Sequence, residues 1–284
     1  MRGKLAIILL VVFLASPLSA QQLKGTLQQI KKSGKIRIGY REAQPPMSFL
    51  DKDGAPAGYS IDICKEIVTG VEKEIGADVK VEYVPVTAEG RFKALDDYKI
   101  DILCGSTTKT LSRSEIVDFT QLTFVTGASL MTLKDNKAFE SGLDGTKLGV
   151  VKGTTTAAEL KKLIIETSTD AEIVLFNSTI ESIDALRQKK IDAFSSDQIV
   201  LIGIASKADD PMEFVIKSDV FSFEPFALAA RRNDADFRLV ADRVISDLSR
   251  SKKILKFYDK WIGKFTRQRL PIFEAMIQLN TTPE

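Results

Sequence analysis

The stretches KIRIGY at residues 35–40 and DVKVEYV at residues 78–84 both place apolar side chains at alternate positions. Alternation with a period of two is typical of a β-strand that buries one face. Between them, from Ile61 to Ile75, apolar residues recur at the spacing of three and four that marks the buried side of a helix. A strand, a helix and a second strand in this order predict an α/β unit.

The same alternation continues along the chain in two series. The first series adds a short helix at 89–97 and an apolar strand at 99–104. The second predicts strands at 147–151, 171–176, 191–194 and 213–217, helices at 155–166, 180–188 and 198–206, and an amphipathic helical region at 234–262. Two series of this kind predict two lobes built on mostly parallel sheets.

We expect a first lobe from residues 21–127 with 225–284 and a second lobe from residues 128–224. Strand-like segments at 124–132 and 223–231 lie at the two boundaries, and each is expected to carry the chain from one lobe to the other. Two such crossings form a hinge beside a cleft, which is a common place for a small ligand.

The N-terminus has the pattern of a secretory signal peptide. Arg2 and Lys4 precede an apolar run at 5–14, and small residues follow up to Ala20. The run is shorter than the about 20 residues of a membrane span, so cleavage near Ala20 is expected rather than an uncleaved anchor. Removing residues 1–20 takes away two positive charges, and the formal net charge falls from +2 to about zero. We therefore expect no binding to nucleic acid. We also expect a monomer.

The composition limits the chemistry that the chain can perform. It contains no histidine, which excludes His-based catalytic triads and most zinc sites, and we expect no catalytic residue, metal or cofactor. The two cysteines lack metal-ligand spacing. An oxidising compartment permits a disulfide. However, Cys64 falls on the apolar side of a predicted helix and Cys104 ends a predicted strand, so two buried thiols are the favoured expectation.

Hydroxyl side chains follow two of the predicted strands. Ser106 and Thr108 come after the strand at 99–104, and Thr154 and Thr155 stand between a strand and a helix. Ligands of open α/β sheets bind beyond the carboxyl ends of the strands, where hydroxyls and the first N–H groups of a helix suit a carboxylate. An ordinary turn or helix-cap role is the alternative for each of these residues taken alone.

Charged side chains occur near the same strand ends. Arg113 offers a planar fork of donors that matches a carboxylate bidentately. Arg41 and Arg91 are further cations, which a desolvated acidic ligand would need as partners. A solvated surface position is the alternative for each arginine. Asp197 suits an ammonium group, or it caps the helix that follows.

A series of short stretches resembles the family of periplasmic polar amino-acid-binding proteins, the substrate-binding components of ABC transporters. The stretches are GYRE at 39–42, PMSF at 46–49, GYSID at 58–62, DILCGSTT at 101–108, VDFT at 117–120, VVKGTT at 150–155 and FYDKW at 257–261. The resemblance extends over about residues 24–265 and is greatest to the glutamate/aspartate-binding branch. It implies the two-lobe periplasmic-binding-protein fold of type II.

The resemblance also implies a role for each site residue. The α-carboxylate of the ligand would be clamped by Arg113, Thr108 and the backbone of Thr154 and Thr155, and the α-ammonium by Ser106 and Asp197. Arg41 and Arg91 would meet the side-chain carboxylate, and Tyr40, Phe49 and Thr179 are further candidates for contact with the ligand.

Two positions depart from the pattern of this branch. Ala88 stands where the branch usually has a serine, and Thr179 stands where it can place a histidine. Both changes remove contacts to the ligand side chain. The choice between glutamate, aspartate and an amide ligand therefore stays open.

These features predict a non-catalytic periplasmic protein that captures glutamate or aspartate for the membrane permease of an ABC importer. Binding of glutamine or another polar amino acid, and service to a chemoreceptor as a sensor, are alternatives. The resemblance also includes periplasmic dehydratases of cyclic carboxylic acids, in which Glu42, Glu89 or Asp197 would be a general acid. The tail after Phe265 is expected to lie as a strap along the surface.

Overall fold

The computed structural model describes residues 22–136, 142–266 and 268–283, so the predicted signal peptide, residues 1–20, lies outside the described residues. The strands are β1 Lys35–Tyr40, β2 Ala43–Gln44, β3 Ser48–Leu50, β4 Pro56–Ala57, β5 Lys80–Pro85, β6 Ile102–Cys104, β7 Val117–Thr126, β8 Ala128–Leu133, β9 Lys147–Val151, β10 Glu172–Phe176, β11 Ala193–Asp197, β12 Phe214–Ile216 and β13 Glu224–Arg231. The helices are α1 Gly25–Ser33, α2 Tyr59–Ile75, α3 Arg91–Asp96, α4 Leu111–Ser114, α5 Thr155–Glu166, α6 Thr179–Arg187, α7 Gln198–Ala205, α8 Ala235–Arg250, α9 Lys253–Trp261 and α10 Pro271–Leu279, with 3₁₀ turns at Pro211–Glu213 and Gly263–Phe265.

Two five-stranded sheets form the centres of two lobes. The first-lobe sheet has the strand order β5-β1-β6-β13-β7, and the second-lobe sheet has the order β10-β9-β11-β8-β12. In each sheet one strand runs against the other four, namely β13 in the first and β8 in the second. These are the strands that directly follow a passage between lobes. The prediction of a two-lobe α/β fold with mostly parallel sheets and two crossings is confirmed.

The first crossing differs in detail from its prediction. The segment at 124–132 is not one strand, because β7 ends at Thr126 in the first-lobe sheet and β8 begins at Ala128 in the second-lobe sheet. Gly127 separates them, and a Cβ there would overlap the carbonyl of Ser222. A glycine therefore lets the two crossing segments pass closely against each other.

The second crossing lies just before the strand predicted at 223–231. That strand is β13, and it belongs wholly to the first-lobe sheet. The sheet membership of β7, β8 and β13 supports the proposed lobe limits, 21–127 with 225–284 and 128–224.

The core of the first lobe forms around helix α2. Its predicted apolar side faces inward, and Ile67 and Val71 are completely buried together with Phe237 and Ile245 of α8. Full burial of one such aliphatic side chain stabilises the fold by about 1.5–3 kcal/mol. This apolar face therefore holds α2 between the sheet and α8.

The two cysteines form a disulfide, which corrects the expectation of two buried thiols. Cys64 lies on α2, Cys104 ends β6, and their Cα atoms are 6.4 Å apart. Both residues are buried, as expected. Facing positions on packed elements suit two thiols and a disulfide alike, provided that the Cα atoms lie within about 7 Å. The bridge anchors the end of β6 to α2 directly before Gly105.

The tail after Phe265 is a docked helix, which corrects the expectation of a surface strap. Helix α10 buries Phe273, Met276 and Ile277 in the first-lobe core, and the Phe273 ring lies 4.5 Å from the ring of Tyr258. Pro271 occupies the first turn, where a missing N–H leaves no hydrogen bond unmade. Within the described residues, no helix combines the length and the apolar character of a membrane span.

Candidate functional site

A pocket lies between the lobes, at the carboxyl ends of β1, β6, β9 and β11. Its walls are formed by Arg41, Gln44, Arg91, Ser106, Thr108, Arg113, Val151, Thr154, Thr155, Thr156, Ser195, Ser196 and Asp197. This set includes all eight residues that were predicted as main ligand contacts. The fold therefore brings them together, and their roles toward a ligand stay predictions.

The loop after β6 forms the first-lobe wall of the pocket. The hydroxyl of Ser106 donates to Oε1 of Gln44 at 3.0 Å, and the hydroxyl of Ser60 donates to the Gly105 carbonyl at 3.0 Å. The stem of Arg41 passes over Gly105, where a Cβ would lie 3.3 Å from Arg41 Cγ. The sequence GSTT at 105–108 thus directly follows the buried strand β6 and presents polar groups to the pocket.

Arg91 and Arg113 share one side of the pocket. Nη1 of Arg113 donates to the Thr108 carbonyl at 2.9 Å, and Nη2 of Arg91 donates across the lobes to the Gly153 carbonyl at 3.3 Å. The ring of Phe92 lies 4.5 Å from the guanidinium of Arg91 and 5.5 Å from that of Arg113. Nε of Arg91 is buried with no hydrogen-bond partner among the described residues. This side of the pocket therefore holds two cations with spare donor capacity.

Removal from water lowers the pKa of all three pocket arginines. Burial lowers the pKa of Arg41 to about 10, and Asp197 acts in the opposite sense. Burial, followed by repulsion from Arg113 and Arg41, lowers the pKa of Arg91 well below its ordinary value. Burial also lowers the pKa of Arg113, against the carboxylates of Glu224 and Asp197. Because guanidinium groups stay protonated in proteins, the pocket keeps three cations.

Asp197 ends β11 with its carboxylate at the pocket. Helix α7 begins directly after it, yet the side chain makes no capping bond, so the cap alternative is wrong. Oδ1 is buried and has no hydrogen-bond partner among the described residues. Burial and then the Glu224 carboxylate raise the pKa of Asp197 well above its ordinary value, against the effect of Arg113 and Arg91. An ammonium group beside Asp197 would stabilise its charged form.

The start of α5 forms the second-lobe wall. Thr154 is the helix cap, because its hydroxyl oxygen accepts from the N–H of Ala157 at 3.2 Å. The hydroxyl of Thr155 instead donates to Glu224 at 2.7 Å and lies 3.2 Å from the hydroxyl of Thr108 across the lobes. The first N–H groups of a helix lack acceptors within the helix and form the positive end of its dipole. A carboxylate in the pocket therefore has donors in the α5 backbone.

Gln44 and Glu224 belong to the site although the sequence reasoning did not include them. Nε2 of Gln44 donates to the hydroxyl of Thr179 at 2.6 Å, which links the lobes. Glu224 accepts from the hydroxyls of Thr108 and Thr155. A lone carboxylate at the head of an apolar strand was a usable signal for Glu224. No sequence pattern indicated Gln44, because the position of its side chain at the pocket depends on how the loop after β1 folds.

The three further candidates lie outside the pocket wall, and their contact with the ligand stays a prediction. Tyr40 packs in the first-lobe core, with its ring 6.2 Å from the ring of Tyr83. Phe49 packs against Trp261 with ring centroids 5.6 Å apart, and it lines a neighbouring groove. Thr179 lines the same groove behind Gln44.

The residues from 36 to 264 match the model of the bacterial extracellular solute-binding proteins, family 3. The chain belongs to this family. The predicted family is confirmed, and its description places its members outside the cytoplasm.

Named relatives of this family 3 protein bind amino acids. It is 34% identical to the L-glutamate/L-aspartate-binding protein of Pseudomonas aeruginosa, over 97% of this chain and 94% of the relative. It is 33% identical to the glutamate/aspartate import solute-binding protein of Salmonella typhimurium, over 83% of this chain and 79% of the relative. The solved cysteine-binding protein from Campylobacter jejuni has a TM-score of 0.74 at 26% identity, and the match covers 88% of this chain and 97% of that one.

Proposed function

We propose that this chain captures glutamate or aspartate in the periplasm and delivers it to the membrane permease of an ABC importer. The observation that carries the proposal is the charge of the pocket. Three guanidinium groups face two carboxylates, those of Asp197 and Glu224, which leaves one positive charge in excess. An amino acid with an ionised side-chain carboxylate carries one net negative charge, so it makes the occupied pocket neutral.

The pocket divides naturally between the parts of such a ligand. The α-carboxylate fits between Arg113 and the start of α5, and the α-ammonium fits beside Ser106 and Asp197. Arg41 and Arg91 then meet the side-chain carboxylate. The names of the Pseudomonas and Salmonella relatives support the same assignment.

The alternatives fit the pocket less well. A neutral ligand such as glutamine leaves one buried guanidinium without an anion, which is costly in a desolvated site. Catalysis by a dehydratase would need a general acid at the ligand. Glu42 lines the neighbouring groove, and Glu89 pairs with Lys152 at the surface, whereas Asp197 faces the ammonium position. We therefore favour capture over catalysis.

The proposal is tested by a thermal-shift screen of the twenty amino acids on protein that was unfolded and refolded to remove bound ligand. At about 100 times Kd, a ligand stabilises the folded state by about 2.7 kcal/mol. For a chain of this size, that raises Tm by roughly 5–10 °C. Glutamate or aspartate should produce the largest shift. A clear shift with a neutral amino acid, and none with either acidic one, would refute the acidic assignment.

Arg41→Met tests the charge argument within the same screen. The substitution removes one cation and keeps much of the stem that covers Gly105. Loss of one partner of a buried charge pair weakens binding by about 30-fold or more, so the affinity for glutamate and aspartate should fall selectively. Arg232→Met, at a half-exposed position beside Asp118, is the matched control. Equal losses for acidic and neutral ligands would contradict the role of Arg41.

A further inference from the structure

Glu224 is a buried carboxylate at the junction of the lobes. It begins β13, directly after the second crossing, and pairs in register with Thr126, the last residue before the first crossing. Only 1% of its surface is exposed. A carboxylate so deeply buried needs several hydrogen-bond donors to offset its loss of hydration.

Three hydroxyl groups supply these donors, and they come from different parts of the fold. Thr108 of the first-lobe loop donates to Oε2 at 2.5 Å, and Thr155 at the start of α5 in the second lobe donates to the same oxygen at 2.7 Å. Ser222 of the second crossing donates to Oε1 at 2.7 Å and accepts from the N–H of Ala128 at 3.0 Å. One carboxylate therefore ties both lobes and both crossings together.

These hydrogen bonds also set the polarity of the pocket wall. A hydroxyl has one proton to donate and two lone pairs that accept. Since Thr108 and Thr155 give their protons to Glu224, both present lone pairs toward the pocket. They can accept from an ammonium or a guanidinium group, and the ligand carboxylate is left to Arg113 and the α5 backbone.

The charged groups that face Glu224 make its charge part of the site. Arg113 lies near enough for attraction, and Asp197 near enough for repulsion. Arg91 and Arg41 complete the set of ionic groups around Asp197. A change of charge at position 224 therefore changes the pKa of Asp197.

We propose that Glu224 is a positioning residue that couples amino-acid capture to lobe closure. It orients the hydroxyls of Thr108 and Thr155 as acceptors, and it bridges the two lobes when they close. Glu224 touches no ligand in this role, and the role presumes that the pocket binds an amino acid as proposed above.

Glu224→Gln and Glu224→Asp separate the two parts of this role. The glutamine amide has the same shape, but it is uncharged and one of its two terminal atoms cannot accept a hydrogen bond. The aspartate keeps the charge, but it is one methylene too short to reach Thr108 and Thr155 together. Glu172→Gln is the matched control, because Glu172 forms an exposed ion pair with Lys147 at 3.5 Å within the second lobe, and exposed pairs contribute little.

The experiment measures glutamate affinity by calorimetry as a function of pH, and the radius of gyration of each variant with and without glutamate. Both Glu224 variants should bind about 10-fold to 100-fold more weakly than wild type, as expected for a lost hydrogen bond to a charged group. The Glu224→Gln protein should be more expanded than wild type without ligand. Glu172→Gln should match the wild type within about twofold.

The pH profile distinguishes positioning from a merely structural effect. Binding needs Asp197 ionised, and the charge of Glu224 raises the pKa of Asp197. In Glu224→Gln, the acid-side loss of affinity should therefore move to lower pH, whereas Glu224→Asp should keep the wild-type profile. Wild-type affinity, pH profile and radius of gyration in Glu224→Gln would overturn the inference. If wild type itself bound no amino acid, the proposed function would fail, and the ligand-free radii of gyration would still decide the closure role.

Discussion

At the residue scale, ligand capture and stability favour different protonation states of Asp197. Capture of an ammonium group favours the ionised carboxylate, whereas burial favours the protonated form. The carboxylate of Asp197 is buried, and its pKa is raised by burial and by Glu224. The folded chain therefore holds a proton at this site more tightly than the unfolded chain. The stability that this group contributes is fully present below the ordinary aspartate pKa of about 3.9, and it is lost as the pH rises through the raised pKa.

Asp197→Asn should remove this loss. The ligand-free variant should be more stable than wild type at about pH 7–8, by on the order of 1 kcal/mol, and the difference should shrink toward about pH 4. Amino-acid binding should disappear, because an amide cannot pair with an ammonium group as a carboxylate does.

Urea unfolding across this pH range and calorimetry with glutamate measure the two effects. Asp209→Asn, at an exposed site, is the control. A less stable variant, or one that still binds glutamate, would argue against this account.

The sequence predicted the residues that line the pocket, but it did not predict the hydrogen bonds that each of their side chains makes. The positions of Ser106, Thr108 and Asp197 follow from strand ends, because parallel strands bring their carboxyl ends to one edge. The choice between capping and facing the pocket does not follow from spacing. It depends on side-chain rotamers and on partners in the other lobe, and it was settled differently for Thr154 and for Asp197.

At the element scale, long periodic segments were predicted closely and boundaries less so. Helix α5 occupies the predicted residues 155–166, because one apolar face and a threonine cap both define it. The sequence predicts one strand-like segment at 124–132, because a periodicity of two does not reveal a change of sheet. That break depends on the approach of Ser222 to Gly127, a contact between residues distant in sequence.

The disulfide between α2 and β6 should matter for stability. It closes a loop with a sequence separation of 40, and closing a loop of that length stabilises the folded chain by up to about 4 kcal/mol in the chain-entropy model. The variant Cys64→Ala/Cys104→Ala should therefore unfold at a lower urea concentration than wild type. Prior reduction of unfolded wild type should reproduce the loss, and reductant should leave the variant unchanged. A reduced wild type as stable as the oxidised protein is inconsistent with this role.

At the scale of the whole molecule, the lobes meet through contacts on both sides of the pocket. Gln44 bonds Thr179 on one side, and Lys152 pairs with Glu89 on the other, so the described arrangement is a closed one. A ligand stabilises closure only by its differential affinity for that state. Capture therefore depends on how closely the lobe surfaces can approach, as well as on the pocket residues.

Gly203 in α7 lies at a point where the two lobes approach each other closely. A Cβ there would overlap the backbone carbonyl of Pro45 in the loop between β2 and β3. Gly203→Ala should therefore oppose closure, with the penalty of about 1–3 kcal/mol that overpacking carries, and the affinity for glutamate should fall by about 5-fold to 150-fold. Since alanine favours a helix over glycine by about 1 kcal/mol, the open form should be no less stable to heat.

Small-angle X-ray scattering decides whether Gly203→Ala acts through closure. Wild type should contract when glutamate is added, and Gly203→Ala should keep its ligand-free radius of gyration. Gly263→Ala is the matched control, because a Cβ at Gly263 would have only ordinary contacts, the nearest at 3.5 Å to Asp259. It should contract and bind as wild type does. If Gly203→Ala contracts normally and binds glutamate with undiminished affinity, the contact with Pro45 does not limit closure. If the variant fails to contract but keeps its thermal stability, its loss of binding is due to lobe geometry alone.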